Sequence, residues 1–194
     1  QNKTSSSSSP SIKSKLKKLL PLLTKKKAAA GQKGNFPLPV NEWKFVESMQ
    51  YDLMAKTKHD KRSAEKLATS LGVAKNPNLV KELVELAIVM QARELAHAGG
   101  TKEQRFNNIV DLYKTQTNLS MRTSESMMLQ QYSTPAPIGY VLGMYCGFDK
   151  EGSYFEPSAG NGLLTIAGNP KDFTINEIDN TRNRNLKTQG YKEV

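Results

Sequence analysis

The sequence predicts an α-helical N-terminal region followed by the first half of an α/β domain. Two observations carry this prediction. Between residues 41 and 147, apolar residues recur at three- and four-residue steps in five segments, which is the period of an α-helix. After Gly152 the pattern changes to short β-like runs that alternate with helical segments in the order β-α-β-α-β, and this alternation is typical of a parallel sheet.

Residues 1–36 form a basic, Ser/Lys-rich tail that we expect to be disordered. Its nine lysines and no acidic residue give it +9 of the net charge of +10, which leaves +1 for the rest of the chain. Such a composition cannot bury a core. A solvated linker is the first interpretation, contact with nucleic acid the second and contact with a membrane surface the third. A mitochondrial presequence is also open, although these peptides favour arginine and the tail has none.

Residues 37–117 are predicted to form a small helical bundle. We expect helices from Asn41 to about Lys56, from Asp60 to Leu71, from Pro77 to the Gly99-Gly100 pair, and from Thr101 through Tyr113. Cap residues support these boundaries: Asp60 and Asn76 as N-caps, Pro77 at a first helical position, Gly72 as a stop, and Thr101 with Gln104 as a capping box.

Residues 118–194 are predicted to form the partial α/β domain. A fifth helix is marked by an apolar repeat that ends at Gly147, namely Ile138, Val141, Leu142 and Tyr145. The expected elements after it are a strand at Tyr154-Phe155, a helix starting at Leu163–Ala167, a strand at Phe173–Ile178, a helix at Thr181–Gln189 and a third strand at Tyr191–Val194. Three strands make about half of a doubly wound sheet.

Composition excludes several classes of site. The single cysteine, Cys146, rules out a disulfide within the chain and a Cys-rich zinc centre, and it fits a reducing compartment. No segment has the roughly 20 apolar residues of a membrane span, so we expect a cytoplasmic protein without a membrane partner or a bound metal. We expect Cys146 to be buried, His97 to interact with a helix C-terminus, and Tyr132, Tyr140 and Tyr145 to line the core or a cofactor pocket.

The clearest candidate for a binding site is the segment Glu156-Pro157-Ser158-Ala159-Gly160-Asn161-Gly162. Two glycines between a strand and a helix let the backbone approach a ligand closely. The acidic pair Glu177 and Asp179 ends the next strand about 20 residues later, where a carboxylate can reach the ribose hydroxyls of a nucleoside cofactor.

The chemistry of this segment disfavours a phosphate-bearing ligand. No lysine follows Gly162 as a P-loop requires, and Thr165 stands where a dinucleotide motif has its third glycine. Carboxylates at both strand ends repel a pyrophosphate but suit a cation. S-adenosylmethionine carries a sulfonium, an amino group and ribose hydroxyls without a phosphate, and it is therefore the expected cofactor.

Three motifs occur in a characteristic order: Gln131-Tyr132-Ser133-Thr134-Pro135, the glycine segment 156–162, and Asn176-Glu177-Ile178-Asp179. In this order they resemble the opening of an adenine-N6 DNA methyltransferase, over roughly residues 118–194. The stretch from Tyr113 to Tyr145 resembles large bacterial and mobile-element proteins in which such a methylase is joined to a helicase. The resemblance implies a Rossmann-like fold dependent on S-adenosylmethionine, with adenine in double-stranded DNA as the substrate.

The resemblance also implies roles for individual residues. Thr134 and Pro135 would close over the cofactor, and Glu177 would bind its ribose hydroxyls with support from Asp179. The glycine segment would line the amino-acid part of the cofactor, through Glu156, Pro157, Ser158, Gly160, Asn161 and Gly162. Two simpler interpretations stay open: Thr134-Pro135 as a helix entry, and Glu177 or Asp179 as an N-cap.

One departure from the family is decisive for catalysis. The family's catalytic tetrapeptide is Asn or Asp, two prolines, then Tyr or Phe, and it holds the flipped adenine. This sequence contains no Pro-Pro pair, and Asn169-Pro170-Lys171-Asp172 is interpreted as a turn. We therefore expect no catalytic residue in these 194 residues, and we expect the chain to be part of a longer enzyme.

Two further functions remain open on the sequence. The helical region and basic tail would bind DNA or a protein partner without catalysis, beside a degenerate methylase remnant. Alternatively, the same cofactor motifs would serve an RNA or protein methyltransferase. Either way, the inference of DNA binding rests on the motifs, and the tail is at most a salt-sensitive helper.

Overall fold

The computed structural model describes residues 37–116 and 133–191. This part of the chain is mostly helical and contains one small parallel sheet. Its helices and strands in chain order are α1 (Val40–Met54), α2 (Lys61–Ser70), α3 (Pro77–Ala96), α4 (Lys102–Thr115), α5 (Ala136–Tyr145), β1 (Tyr154–Glu156), β2 (Phe173–Ile175) and α6 (Asn180–Thr188). The predicted disordered tail, the Gln131-Tyr132 pair and residues 192–194 lie outside the described residues.

The caps read from the sequence are present. The Asp60 carboxylate accepts the backbone N–H of Ser63, whose hydroxyl in turn accepts the Asp60 N–H. Thr101 and Gln104 form the same reciprocal arrangement at the start of α4. Asn76 caps α3 through two backbone N–H groups, with Pro77 at the first helical position. These side chains satisfy N–H groups that have no partner within the helix.

Helix α3 runs through the main hydrophobic core. Its fully buried side chains include Leu83, Leu86 and Val89, and α1 packs Phe45 and Met49 against the same cluster. The cluster extends beyond helices α1–α4 and includes buried side chains of α5 and of the chain after the glycines, namely Ala136, Tyr140, Leu163, Ile166 and Ala167. Helix α5 and the chain after the glycines therefore share one core with helices α1–α4.

Helix α5 exists as predicted, but the face expected to be buried is the exposed one. The bulky side chains Ile138, Val141, Leu142 and Tyr145 are all exposed. The buried face carries Gly139, Tyr140 and Gly143 instead, and it lies against residues 163–167. Tyr140 is buried as expected, whereas the expectations for Tyr145 and Cys146 were wrong, because both lie on or just beyond the exposed end of the helix.

Strands β1 and β2 pair in parallel, with Phe155 opposite Thr174 and Glu156 opposite Ile175. The predicted helix at Leu163–Ala167 is wrong: the connection is a 3₁₀ turn at Leu163–Thr165 and a second one at Pro170–Asp172. Gly162 adopts a left-handed φ of 95° and Pro170 disfavours helix in the residue before it, so any helix is confined to residues 163–168.

In the rest of the predicted α/β domain, the strands are shorter than predicted, and the helix lies close to its predicted position. Strand β2 ends at Ile175 rather than Ile178, and Tyr191 lies outside any strand. Helix α6 is present and is followed by Gly190 with a φ of 87°. The Rossmann-like methyltransferase fold stays a prediction. Among the described residues, no helix has the length and apolar character needed to span a membrane.

The contact between α5 and the 163–167 segment yields a first prediction. A Cβ at Gly139 would stand 2.1 Å from the Leu163 carbonyl oxygen, so Gly139→Ala must push backbone apart. We expect Gly139→Ala to lower the free energy of unfolding by about 1–3 kcal/mol, measured by urea denaturation.

Gly99→Ala is the matched control, because a Cβ there meets nothing within 4 Å. We expect it to change the free energy of unfolding by less than about 0.5 kcal/mol. Equal effects of the two substitutions would show that the close approach of α5 does not stabilise the fold.

Candidate functional site

The glycine loop, residues 156–162, leaves the end of β1 in a conformation that requires its glycines. Gly160 has a φ of +57° and Gly162 a φ of +95°, both in the left-handed region. A Cβ at Gly160 would meet only Arg182 Nη1 at 3.9 Å, whereas one at Gly162 would press on the Tyr191 hydroxyl at 3.0 Å. Gly160 therefore borders open space, and Gly162 allows tight packing against the chain that follows α6.

Glu177 joins the glycine loop to the end of the second strand. Its Oε2 accepts the Gly160 N–H at 2.8 Å, and its Oε1 accepts the Asp179 N–H at 2.8 Å. The carboxylate that the sequence singled out thus lies directly against the glycine loop. Each of its oxygens has a second lone pair that a ligand hydroxyl can use.

Asp179 is the N-cap of α6, which confirms the simpler of its two interpretations. Its Oδ1 accepts the backbone N–H groups of Thr181 and Arg182, both at 2.9 Å. At the other strand end, Glu156 accepts the N–H of Ser158 at 3.0 Å, and both Pro157 and Ser158 are exposed. Acidic side chains therefore stand at the ends of both strands, as the sequence indicated.

The Asn161 side chain points from the loop into the protein interior. Its side chain is buried, donates to Glu82 Oε2 at 2.7 Å and accepts from Asn185 at 3.0 Å. It was predicted as a cofactor-binding residue, but its side chain contacts helices α3 and α6. Asn161 thus positions the loop rather than offering its amide to a ligand.

A buried polar network lies beneath the loop, and sequence reasoning missed it. It consists of Glu82, Asn161, Arg182 and Asn185. Arg182 Nε lies 2.9 Å from Glu82 Oε2, and the Asn185 amide donates to the Glu82 carbonyl at 3.2 Å. The one available signal was an acidic residue, Glu82, within the continuous apolar face of α3, since a buried charge requires a partner.

The Thr-Pro element is brought to the same region. Pro135 is the N-cap of α5, so Thr134-Pro135 does form a helix entry. The hydroxyl of the preceding Ser133 donates to Glu85 Oε1 at 2.6 Å. Burial and the neighbouring Glu82 carboxylate raise the pKa of Glu85, and the Ser133 hydroxyl and Arg182 oppose this only in part.

Further contacts attach the segment after the loop to the helices. Arg93 on α3 donates to the Gly168 carbonyl at 3.2 Å and to the Tyr191 hydroxyl, which also contacts Thr165. His97 follows the last residue of α3, and its side chain hydrogen-bonds the Ile166 carbonyl at 3.1 Å, so the partner of the imidazole is a neighbouring segment.

Acidic and basic side chains meet beneath the loop, where Lys81 Nζ also lies 3.7 Å from Glu82 Oε1. Carboxylates of Glu82, Glu85 and Glu177 all act on the Arg182 guanidinium, and together they raise its pKa against the effect of burial. Within residues 37–116 and 133–191, no group of three or more His, Cys, Asp or Glu side chains is arranged to hold a metal ion. The carboxylates of Glu156 and Glu177 can offer hydrogen-bond acceptors at the loop.

Comparison with protein-family models, with curated proteins and with solved structures gave no match for this chain.

The buried network yields a second prediction. Arg182→Met leaves the Glu82 carboxylate buried without its guanidinium, and we expect a loss of about 3–5 kcal/mol of unfolding free energy. Adding Glu82→Gln should recover part of this loss, because it removes the Glu82 charge, while the Glu85 carboxylate that also interacts with Arg182 remains. Urea denaturation of the single and double variants measures the coupling.

Lys61→Met is the control for this experiment. Lys61 pairs with Glu65 on the exposed side of α2 at 4.0 Å, and its loss should cost less than about 0.5 kcal/mol. If Arg182→Met proves no more costly than Lys61→Met, the network does not hold the fold together.

Glu85 yields a third prediction, on pH dependence. The pKa of Glu85 in the folded state lies above its unfolded value, so the folded chain holds the proton more tightly. The folded chain therefore loses stability as pH rises from the ordinary glutamate range through the raised pKa. Glu85→Gln removes this loss. We expect the variant to be more stable than the wild type at pH 7.5 and the difference to shrink toward pH 4, measured by chemical denaturation.

Glu151→Gln, at an exposed position, is the control. A stability difference between Glu85→Gln and the wild type that does not change with pH would contradict the raised pKa of Glu85.

Proposed function

We propose that the glycine loop binds S-adenosylmethionine and that this chain is the cofactor-binding part of an adenine-N6 DNA methyltransferase. The observation that carries the proposal is the contact between Glu177 and the Gly160 N–H at 2.8 Å. It brings the Glu177 carboxylate, two residues beyond β2, against the glycine loop, where a ribose would find hydrogen-bond acceptors.

The electrostatics of the site favour this cofactor over a nucleoside phosphate. Phosphate binding at a glycine loop uses free backbone N–H groups. Here the Gly160 N–H is already donated to Glu177 and the Ser158 N–H to Glu156. Carboxylates at both strand ends would repel a phosphate, whereas they attract a sulfonium and an ammonium group.

In the proposed complex, the chain holds the cofactor and does not carry the reaction. Glu177 would accept the ribose hydroxyls, and Glu156 with the backbone of Gly160 would line the amino-acid part, while the buried Gly162 packs against Tyr191. The cofactor supplies an electrophilic methyl group for the exocyclic nitrogen of adenine. Ser133 donates to Glu85 and so fixes the start of the Thr134-Pro135 element against α3. The assignment to adenine in DNA rests on the resemblance of the three motifs.

Calorimetric titration of the full chain tests the cofactor. We expect saturable binding of S-adenosylmethionine and none of ATP. Glu177→Gln should weaken binding about 10- to 100-fold, because a charge-assisted hydrogen bond contributes about 1.5–3 kcal/mol.

Glu151→Gln is the control, since it removes an exposed carboxylate outside the glycine loop and should leave the affinity unchanged. Circular dichroism melting of Glu177→Gln verifies that the variant is folded under the titration conditions. Equal binding of ATP, or an unchanged affinity in a folded Glu177→Gln, would overturn the assignment.

A further inference from the structure

The outer face of α5 is an apolar surface that the described residues, 37–116 and 133–191, leave uncovered. It comprises four side chains at positions i, i+3, i+4 and i+7 of one helix. Their exposed fractions are 51% for Ile138, 50% for Val141, 44% for Leu142 and 89% for Tyr145. Together they expose on the order of 500 Å² per copy, a size at which apolar patches often serve as interaction sites.

The rest of the fold prevents α5 from burying this face by rotation. The opposite face approaches residues 163–167 so closely that a Cβ at Gly143 would lie 2.7 Å from Ala167 Cβ. On the same side Tyr140 is buried and its hydroxyl reaches the Lys102 carbonyl at 3.4 Å. Only glycines permit this contact, so the helix is fixed with its bulky side chains outward.

The chemistry of the face suits a second copy of the same chain. Residues 133–148 contain no charged side chain, so two copies can meet there without burying a charge or opposing like charges. Spacing of i, i+3, i+4 and i+7 is the apolar seam by which helices pair. In an antiparallel pair about a two-fold axis between Val141 and Leu142, Ile138 of each copy would lie near Tyr145 of the other.

We propose that the outer face of α5 is a homodimer interface in which the two α5 helices pack antiparallel. Two copies would bury on the order of 1,000 Å², which reaches the lower limit for a specific interface. This interface is independent of the cofactor site. Because each copy carries a net charge of +10, long-range repulsion opposes association, and salt should strengthen the dimer by screening it.

Sedimentation velocity of the full chain tests the proposal. We expect a dimer whose fraction rises with protein concentration and from 0.15 M to 0.5 M NaCl. Leu142→Lys should weaken dimerisation about 100-fold, because each dimer would then bury two lysine charges. Met54→Lys is the control, since Met54 is exposed at the end of α1, and it should dimerise like the wild type. A chain that stays monomeric, or equal association of the two variants, would overturn the proposal.

Cross-linking through Cys146 tests the orientation without any substitution. Cys146 is exposed, is the only cysteine, and directly follows α5. Antiparallel helices would place the two Cys146 residues about 16 Å apart, beyond the roughly 6 Å that a disulfide spans. A long bis-maleimide should therefore link the dimer, while oxidation alone should not. Rapid disulfide formation would contradict the antiparallel arrangement.

Discussion

The buried ion pair between Glu82 and Arg182 is the interaction on which the placement of the glycine loop depends. Two opposite charges leave water at the contact of α3 with α6, and such a pair is tolerated only when hydrogen bonds complete its shell. Asn161 donates to the Glu82 carboxylate, and Asn185 holds the Asn161 amide and the Glu82 backbone carbonyl in place. Because Asn161 belongs to the loop itself, the loop is held in a single position on the helices. The helical region thus holds the glycine loop in position and is not a structurally independent unit.

A second constraint acts at the open side of the loop. The left-handed conformation of Gly160 points its N–H at Glu177, and the same carboxylate receives the N–H of Asp179. One side chain therefore joins the glycine loop to the start of α6. Since this contact uses up a backbone N–H and adds a negative charge, it shifts the preference of the loop from anions toward cations and hydroxyl groups. This preference is the physical basis on which S-adenosylmethionine is proposed.

Helix α5 shows how an apolar repeat can be correct as a helix signal and misleading as a core signal. Ile138, Val141, Leu142 and Tyr145 have helical spacing, and their segment is a helix. The core nevertheless takes the opposite face, because Gly139 and Gly143 let the helix axis come closer to residues 163–167 than any larger side chain would. Because this close backbone contact occupies the glycine face of α5, the large side chains on the opposite face stay exposed.

By itself, the sequence determined helices α1 to α6, the caps of α2, α3 and α4, and the acidic ends of the two strands. Each of these depends on groups a few residues apart, such as Thr101 with Gln104, so local spacing contains the information. It also indicated that Glu177 and the glycines belong together, because parallel strands end at one edge. Only the tertiary structure decided the rest: that Asn161 faces inward, that Arg182 pairs with Glu82 one hundred residues away, and that a 3₁₀ turn replaces the expected crossover helix. These outcomes depend on which segments exclude water from each other, and that exclusion is settled by packing between distant parts of the chain.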